Sequence, residues 1–79
     1  MPETRVVLYS RPGCHLCEAA REVVAAVCAQ LGQGWREVDI EGNATLERRY
    51  GELLPVVTVD GQQMGYWWID ESRLRSALA

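Results

Sequence analysis

The sequence predicts an α/β domain of element order βαβαββα, a mixed four-stranded sheet with helices on both faces. Three observations carry that expectation. Arg5-Val6-Val7-Leu8-Tyr9-Ser10 is a near-continuous apolar, β-branched run of the kind that fills a strand covered on both sides. From Cys14 the apolar spacing changes to the helical period. Late in the chain, Asp60-Gly61 separates two strand-like stretches, a strong hairpin signal.

Each element follows from local chemistry. Arg11-Pro12-Gly13 breaks the first strand as a turn. The helix from Cys14 to about Leu31 buries a stripe of Ala20, Val23, Val24, Val27, Cys28 and Leu31, with Glu18, Glu22 and Gln30 off the stripe and Gly32 as the stop. Trp35 to Ile40 forms a second strand, and a strand–helix–strand order implies a parallel pair with a right-handed crossover. Asn43 caps a short helix, Ala44 to Tyr50, which Gly51 ends. Leu53 to Val59 and Gln62 to Trp67 are the hairpin strands. Asp70 caps a closing helix whose apolar face is Leu74, Ala77 and Leu78. Pro55 cannot donate to a ladder, which places it at a strand start or edge.

At 79 residues the chain has room for one domain, residues 1–79. A hydrophobic share of 48% with 24% charged residues fits a soluble globule and argues against disorder. No apolar run approaches the ~20 residues that span a bilayer. Met1-Pro2-Glu3-Thr4-Arg5 carries no cationic stretch leading into an apolar core. A cytoplasmic protein without a membrane partner is expected. A net charge of −3 argues against nucleic acid. All 8 cations are Arg, so any task needing a cation falls to a guanidinium.

The chemistry lies in Cys14-His15-Leu16-Cys17 at the first strand-to-helix junction. Helix-start N–H groups lack partners within the helix, and the macrodipole adds partial positive charge. Both favour a thiolate, the species that attacks disulfides. Cys14, at the exposed start, is the expected attacker, with a pKa below the free value of about 8.5. Cys17, one turn in and shielded, is the expected resolving thiol. His15, if protonated, favours the thiolate, whereas Glu18 opposes it weakly across water. Arg11 has two readings of equal weight: a partner for the thiolate or a carboxylate, or a solvated turn residue. No metal site is expected within the chain. Cys28 lies eleven residues beyond Cys17, roughly 16 Å along a helix, so it can neither complete a zinc site nor pair with Cys17. It reads as a small buried hydrophobe, with a regulatory or intermolecular thiol as the alternative.

Taken together, Leu8-Tyr9-Ser10-Arg11-Pro12-Gly13-Cys14-His15-Leu16-Cys17, Leu54-Pro55-Val56-Val57 and Val59-Asp60-Gly61 resemble the glutaredoxin branch of the thioredoxin-fold superfamily, and more narrowly its small bacterial C-x-L-C members. The resemblance implies a cis peptide at Pro55 beside the active site. It implies that the Leu54 backbone pairs with a bound thiol or peptide, and that Arg11 contacts a thiol cofactor's carboxylate. The chain departs from the family at His15 and Leu16, where Pro-Tyr is usual, and at Leu53-Leu54-Pro55 in place of Thr-Val-Pro. In Gly65-Tyr66-Trp67-Trp68-Ile69-Asp70, Gly65 matches the first glycine of the family's glutathione-holding pair, but Tyr66 replaces the second. A bulky ring there is a steric objection to glutathione, which puts another small thiol or a protein reductant on equal footing. Tyr66-Trp67-Trp68 is either structural or an aromatic platform beside the Cys14 groove.

The expected activity is thiol–disulfide exchange by a monomer, on protein disulfides or small-molecule thiols. A thiol or a flavoprotein reductase would restore the dithiol, and no resident cofactor is required. Two rivals are an iron–sulfur cluster carrier, recognised by a brown chromophore lost on Cys14→Ser, and a binding module whose disulfide reduction is no faster than that of Cys14→Ser.

Overall fold

The computed structural model describes residues 4–79, with Tyr66 described by its backbone alone. The reading of Met1-Pro2-Glu3 therefore lies outside the described residues. The elements are β1 (Val6–Ser10), α1 (His15–Leu31), β2 (Trp35–Asp39), α2 (Ala44–Tyr50), β3 (Val56–Val59), β4 (Gln62–Tyr66) and α3 (Glu71–Leu78), in the predicted order. The sheet order is β2-β1-β3-β4. The β1–β2 pair is parallel, as a crossover through α1 requires, whereas β1–β3 and β3–β4 are antiparallel. The mixed four-stranded sheet is as expected.

Alternation along the central strands sends side chains to two cores. Val6 and Leu8 of β1 and Val57 and Val59 of β3 pack with Ala20, Val24, Val27 and Cys28 of α1 and with Leu74 and Leu78 of α3. Val56 of β3, with Tyr9 of β1 beside it, belongs to a second cluster with Ile40, Leu54, Cys17 and Tyr50 of α2. The Tyr9 and Tyr50 rings stack with centroids 4.6 Å apart, tilted by 31°. The second cluster thus joins α2 to the cysteine pair and forms the floor of the candidate site.

Capping sets the helix boundaries. Asn43 and Asp70 each accept a backbone N–H from three residues on, from Leu46 and Arg73 respectively. Gly32 ends α1 in the left-handed conformation at φ 68°.

Several boundaries differ from expectation. Cys14 caps α1 in extended geometry instead of opening it as a helical residue. Leu31, placed on the buried stripe, is 39% exposed, because the α1 face that packs on the sheet runs out at Cys28. β1 begins at Val6, β2 ends at Asp39 and β4 ends at Tyr66. β3 begins at Val56 because the Leu54–Pro55 bond is cis and Leu53 sits in a turn, its N–H donating to the Tyr50 carbonyl at 2.8 Å. Gly51 is right-handed (φ −53°), not a left-handed cap. Its glycine serves a close approach: a Cβ would clash with the Glu47 carbonyl and meet the Arg11 guanidinium at 3.3 Å.

Candidate functional site

The turn after β1 delivers Cys14 to the start of α1, where its Sγ accepts the Cys17 N–H at 3.1 Å. The sulfur thus occupies the capping position that Ser or Asp usually fills, and one orphan helix donor is satisfied by it. Cys14 and Cys17 form a disulfide with Cα atoms 5.2 Å apart. Their surroundings differ: Cys17 is shielded as expected, 1% exposed inside the second cluster, whereas Cys14, expected to be exposed, is half-buried.

The predicted site residues fall into two groups. Leu54 is buried in the cluster that holds Cys17, with Cys14 packed against it, and Pro55 follows in the cis bond inferred from the resemblance. Cys14, Cys17 and Leu54 thus share one cluster. His15 does not join them; its ring is 96% exposed, with Nδ1 3.9 Å from a Glu18 oxygen. Arg11 turns toward the end of α2, where Nη2 donates to the Gly51 carbonyl at 3.0 Å. Gly65 has φ 140°, and a Cβ there would meet the Trp68 carbonyl only at an ordinary 3.8 Å. It is the backbone angle that calls for glycine, not the space. The steric argument about the Tyr66 ring lies outside the described residues, since it concerns that side chain.

One residue of the aromatic run, which the sequence left between a structural and a platform role, is tied to the site by its hydrogen bonds. Trp67, at φ 63°, donates its backbone N–H to the Leu53 and Pro55 carbonyls, each at 3.2 Å. Its indole Nε1–H donates to the Glu52 carbonyl at 2.9 Å. No sequence pattern signals a left-handed tryptophan, because that region is uncommon for bulky side chains. Beyond it runs an open apolar groove. Leu16, Ala19 and Val23 of α1 form one wall, and Trp67, Trp68 and Ile69 form the other. Trp68 is 72% exposed, the solvent-facing ring of the aromatic run.

On the opposite flank of α1, Arg21 grips Glu37 of β2 with two hydrogen bonds of 2.7 Å, and the Ser10 hydroxyl donates to the same carboxylate at 2.5 Å. The Arg21 hydrogen bonds hold the Glu37 carboxyl below its usual range. Cys28 is 1% exposed, and burial pushes its thiol pKa up. Among the described residues, no group of three or more His, Cys, Asp or Glu side chains is placed to hold a metal ion. No described helix is long and apolar enough to cross a membrane.

Comparison with known proteins gives a consistent picture. The family profile described as Glutaredoxin-like domain (DUF836) matches residues 5–79. An uncharacterized protein of Mycobacterium tuberculosis (strain ATCC 25618 / H37Rv) is 36% identical over 84 residues, covering 100% of this chain and 87% of the relative. Among solved structures, the X-ray structure of target protein XcR50 from X. campestris has a TM-score of 0.77 at 36% identity, covering 92% of this chain and 93% of that one. The solution structure of a Nitrosomonas europaea protein has a TM-score of 0.81 at 27% identity, covering 100% and 96%. Reduced Escherichia coli glutaredoxin has a TM-score of 0.62 at 24% identity, covering 90% and 88%, a likeness of fold.

Proposed function

The chain belongs to the Glutaredoxin-like domain (DUF836) family, and from that premise we propose that it is a thiol–disulfide oxidoreductase acting through Cys14 and Cys17. The observation that carries the proposal is the asymmetry of the pair: one sulfur half-buried on a helix N-terminus and accepting a backbone N–H, the other enclosed one turn away.

In the reduced protein the Cys14 thiolate attacks one sulfur of a substrate disulfide. A Cys14–substrate bond forms, the substrate S–S bond breaks, and the departing thiolate takes up a proton. The Cys17 thiolate then attacks Cys14 Sγ and expels the second substrate sulfur, which is protonated in turn. The substrate gains two electrons and two protons, and the protein is left with the Cys14–Cys17 disulfide. An external thiol or a flavoprotein reductase supplies the two electrons that reopen it.

Protein or low-molecular-weight disulfides are the substrate class. The Leu54 backbone receives the substrate chain, and the groove between Leu16 and Trp68 offers apolar surface to its neighbouring side chains. A carboxylate-bearing thiol would draw on Arg11, whose guanidinium here donates to the Gly51 carbonyl. His15, with its ring 96% exposed, takes no contact role in the exchange.

A trap tests the proposal. Cys17→Ser should accumulate a mixed disulfide on Cys14 when reduced protein meets a lysate or a model disulfide, with mass spectrometry reading the adduct. Cys14→Ser should form none. Equal labelling of the two variants would overturn the assignment.

A further inference from the structure

We infer that Trp67 is the positioning residue of the exchange site, holding the Leu54–Pro55 segment where its backbone can meet a bound disulfide chain. The inference rests on the oxidoreductase reading and adds a residue to which that reading gave no role.

The segment between α2 and β3 has to be irregular and yet fixed in place. Its carbonyls are held from outside by only two residues that the described hydrogen bonds name. Arg11 Nη2 donates to Gly51 at 3.0 Å, and Trp67 Nε1 donates to Glu52 at 2.9 Å. The Trp67 backbone N–H is shared between Leu53 and Pro55 at 3.2 Å each. Trp67 thus brackets Leu54 on both sides and anchors Glu52, two residues before it, by an independent bond. It does so at φ 63°, a backbone region that disfavours a bulky side chain and persists where the surroundings fix it. The same ring lines the groove that opens beside Leu16. One residue therefore sets the height of the Leu54 backbone and one wall of the path by which a substrate chain would reach it. Exchange chemistry is sensitive to such placement, since misplacing a substrate by about 1 Å costs up to roughly a hundredfold in rate.

Trp67→Phe keeps a ring and removes the indole donor. Two probes of the reduced protein separate positioning from general damage. Iodoacetamide reports the Cys14 thiolate alone. A peptide–thionitrobenzoate mixed disulfide, which releases a yellow thiolate, also needs the peptide backbone seated at Leu54. In W67F the peptide reaction should fall roughly ten- to a hundredfold, through a raised KM more than a lowered kcat. The iodoacetamide rate and its pH midpoint should stay as in the unaltered chain. Equal loss with both probes, or loss with neither, would overturn the inference. Should W67F not fold, the unaltered tryptophan answers instead. In C17S trapped with the peptide, the Trp67 indole N–H resonance should shift and exchange more slowly with solvent; an unchanged resonance would overturn the inference. A different result, in which the unaltered chain itself reduces the peptide disulfide no faster than Cys14→Ser, would bring down the oxidoreductase reading.

Discussion

Three cysteines of one chain occupy three environments, and their reactivity should follow. Cys14 sits half-buried at a helix start, Cys17 is enclosed beside it, and Cys28 is sealed in the main core with its thiol pKa raised by burial. In reduced protein, iodoacetamide should modify Cys14 with a pH midpoint below the free thiol's value of about 8.5. Cys28 should react only after denaturation. Mass spectrometry of tryptic peptides reads both; native labelling of Cys28, or a Cys14 midpoint at or above the free value, would count against these environments. The contrast was legible in the sequence because it depends on position along one helix: Cys14 precedes the apolar stripe and Cys28 falls within it. Trp67 was not legible as an anchor, because a left-handed conformation is dictated by what the indole reaches fifteen residues away. Gly51 was read as an ordinary helix stop, whereas its lack of a Cβ makes room for Arg11, forty residues distant.

At the scale of elements, local periodicity reveals which face of a helix is buried but not what its polar face grips. The α1 stripe was readable from spacing, except at Leu31, where the helix outruns the sheet. The Arg21–Glu37 bond, which ties the polar flank of α1 to β2, joins residues that carry no shared motif. The pair nevertheless has a pH signature. Its Glu37 pKa lies below the ordinary carboxylate range, chiefly through the Arg21 hydrogen bonds. A group depressed on folding adds stability that is complete above its unfolded pKa of about 4.3 and lost as pH falls through the folded value. Both side chains are partly solvated, so the contribution should be small. Melting temperature measured from pH 6 down to pH 3 should fall less steeply in Glu37→Gln than in the unaltered chain. Some slope should remain, because Arg5 depresses the Asp60 carboxyl in the same direction. Identical slopes would mean that the α1–β2 bond adds nothing to stability.

Across the whole molecule, the two cores divide the work. One cluster joins α1 and α3 to the sheet and contains neither cysteine of the pair; the other joins α2, Ile40 and Leu54 to Cys17. The element order, the parallel β1–β2 pair and the hairpin were readable from the apolar runs and the turn and cap residues between them; the antiparallel pairing of β1 with β3 was not. Which residues would gather under the cysteines was not, because Ile40, Tyr50 and Leu54 come from three separate loops and helix ends brought together by the crossover. Leu74 and Ile40 are both fully buried, one in each cluster. Truncating either to Ala should cost about 2–5 kcal/mol, read from urea unfolding, because each leaves a cavity in a packed interior. Against a typical total stability of about 5–15 kcal/mol, both variants retain a folded population. Their chemistry should then diverge. Leu74→Ala should leave the Cys14 alkylation rate of folded protein unchanged, since Leu74 belongs to the cluster that does not hold the pair. Ile40→Ala should alter both that rate and the rate of disulfide exchange, because the cavity opens beneath Cys17 and Leu54. If the two variants shift reactivity alike at equal loss of stability, the second cluster is only part of the general core, and the site depends on the fold as a whole.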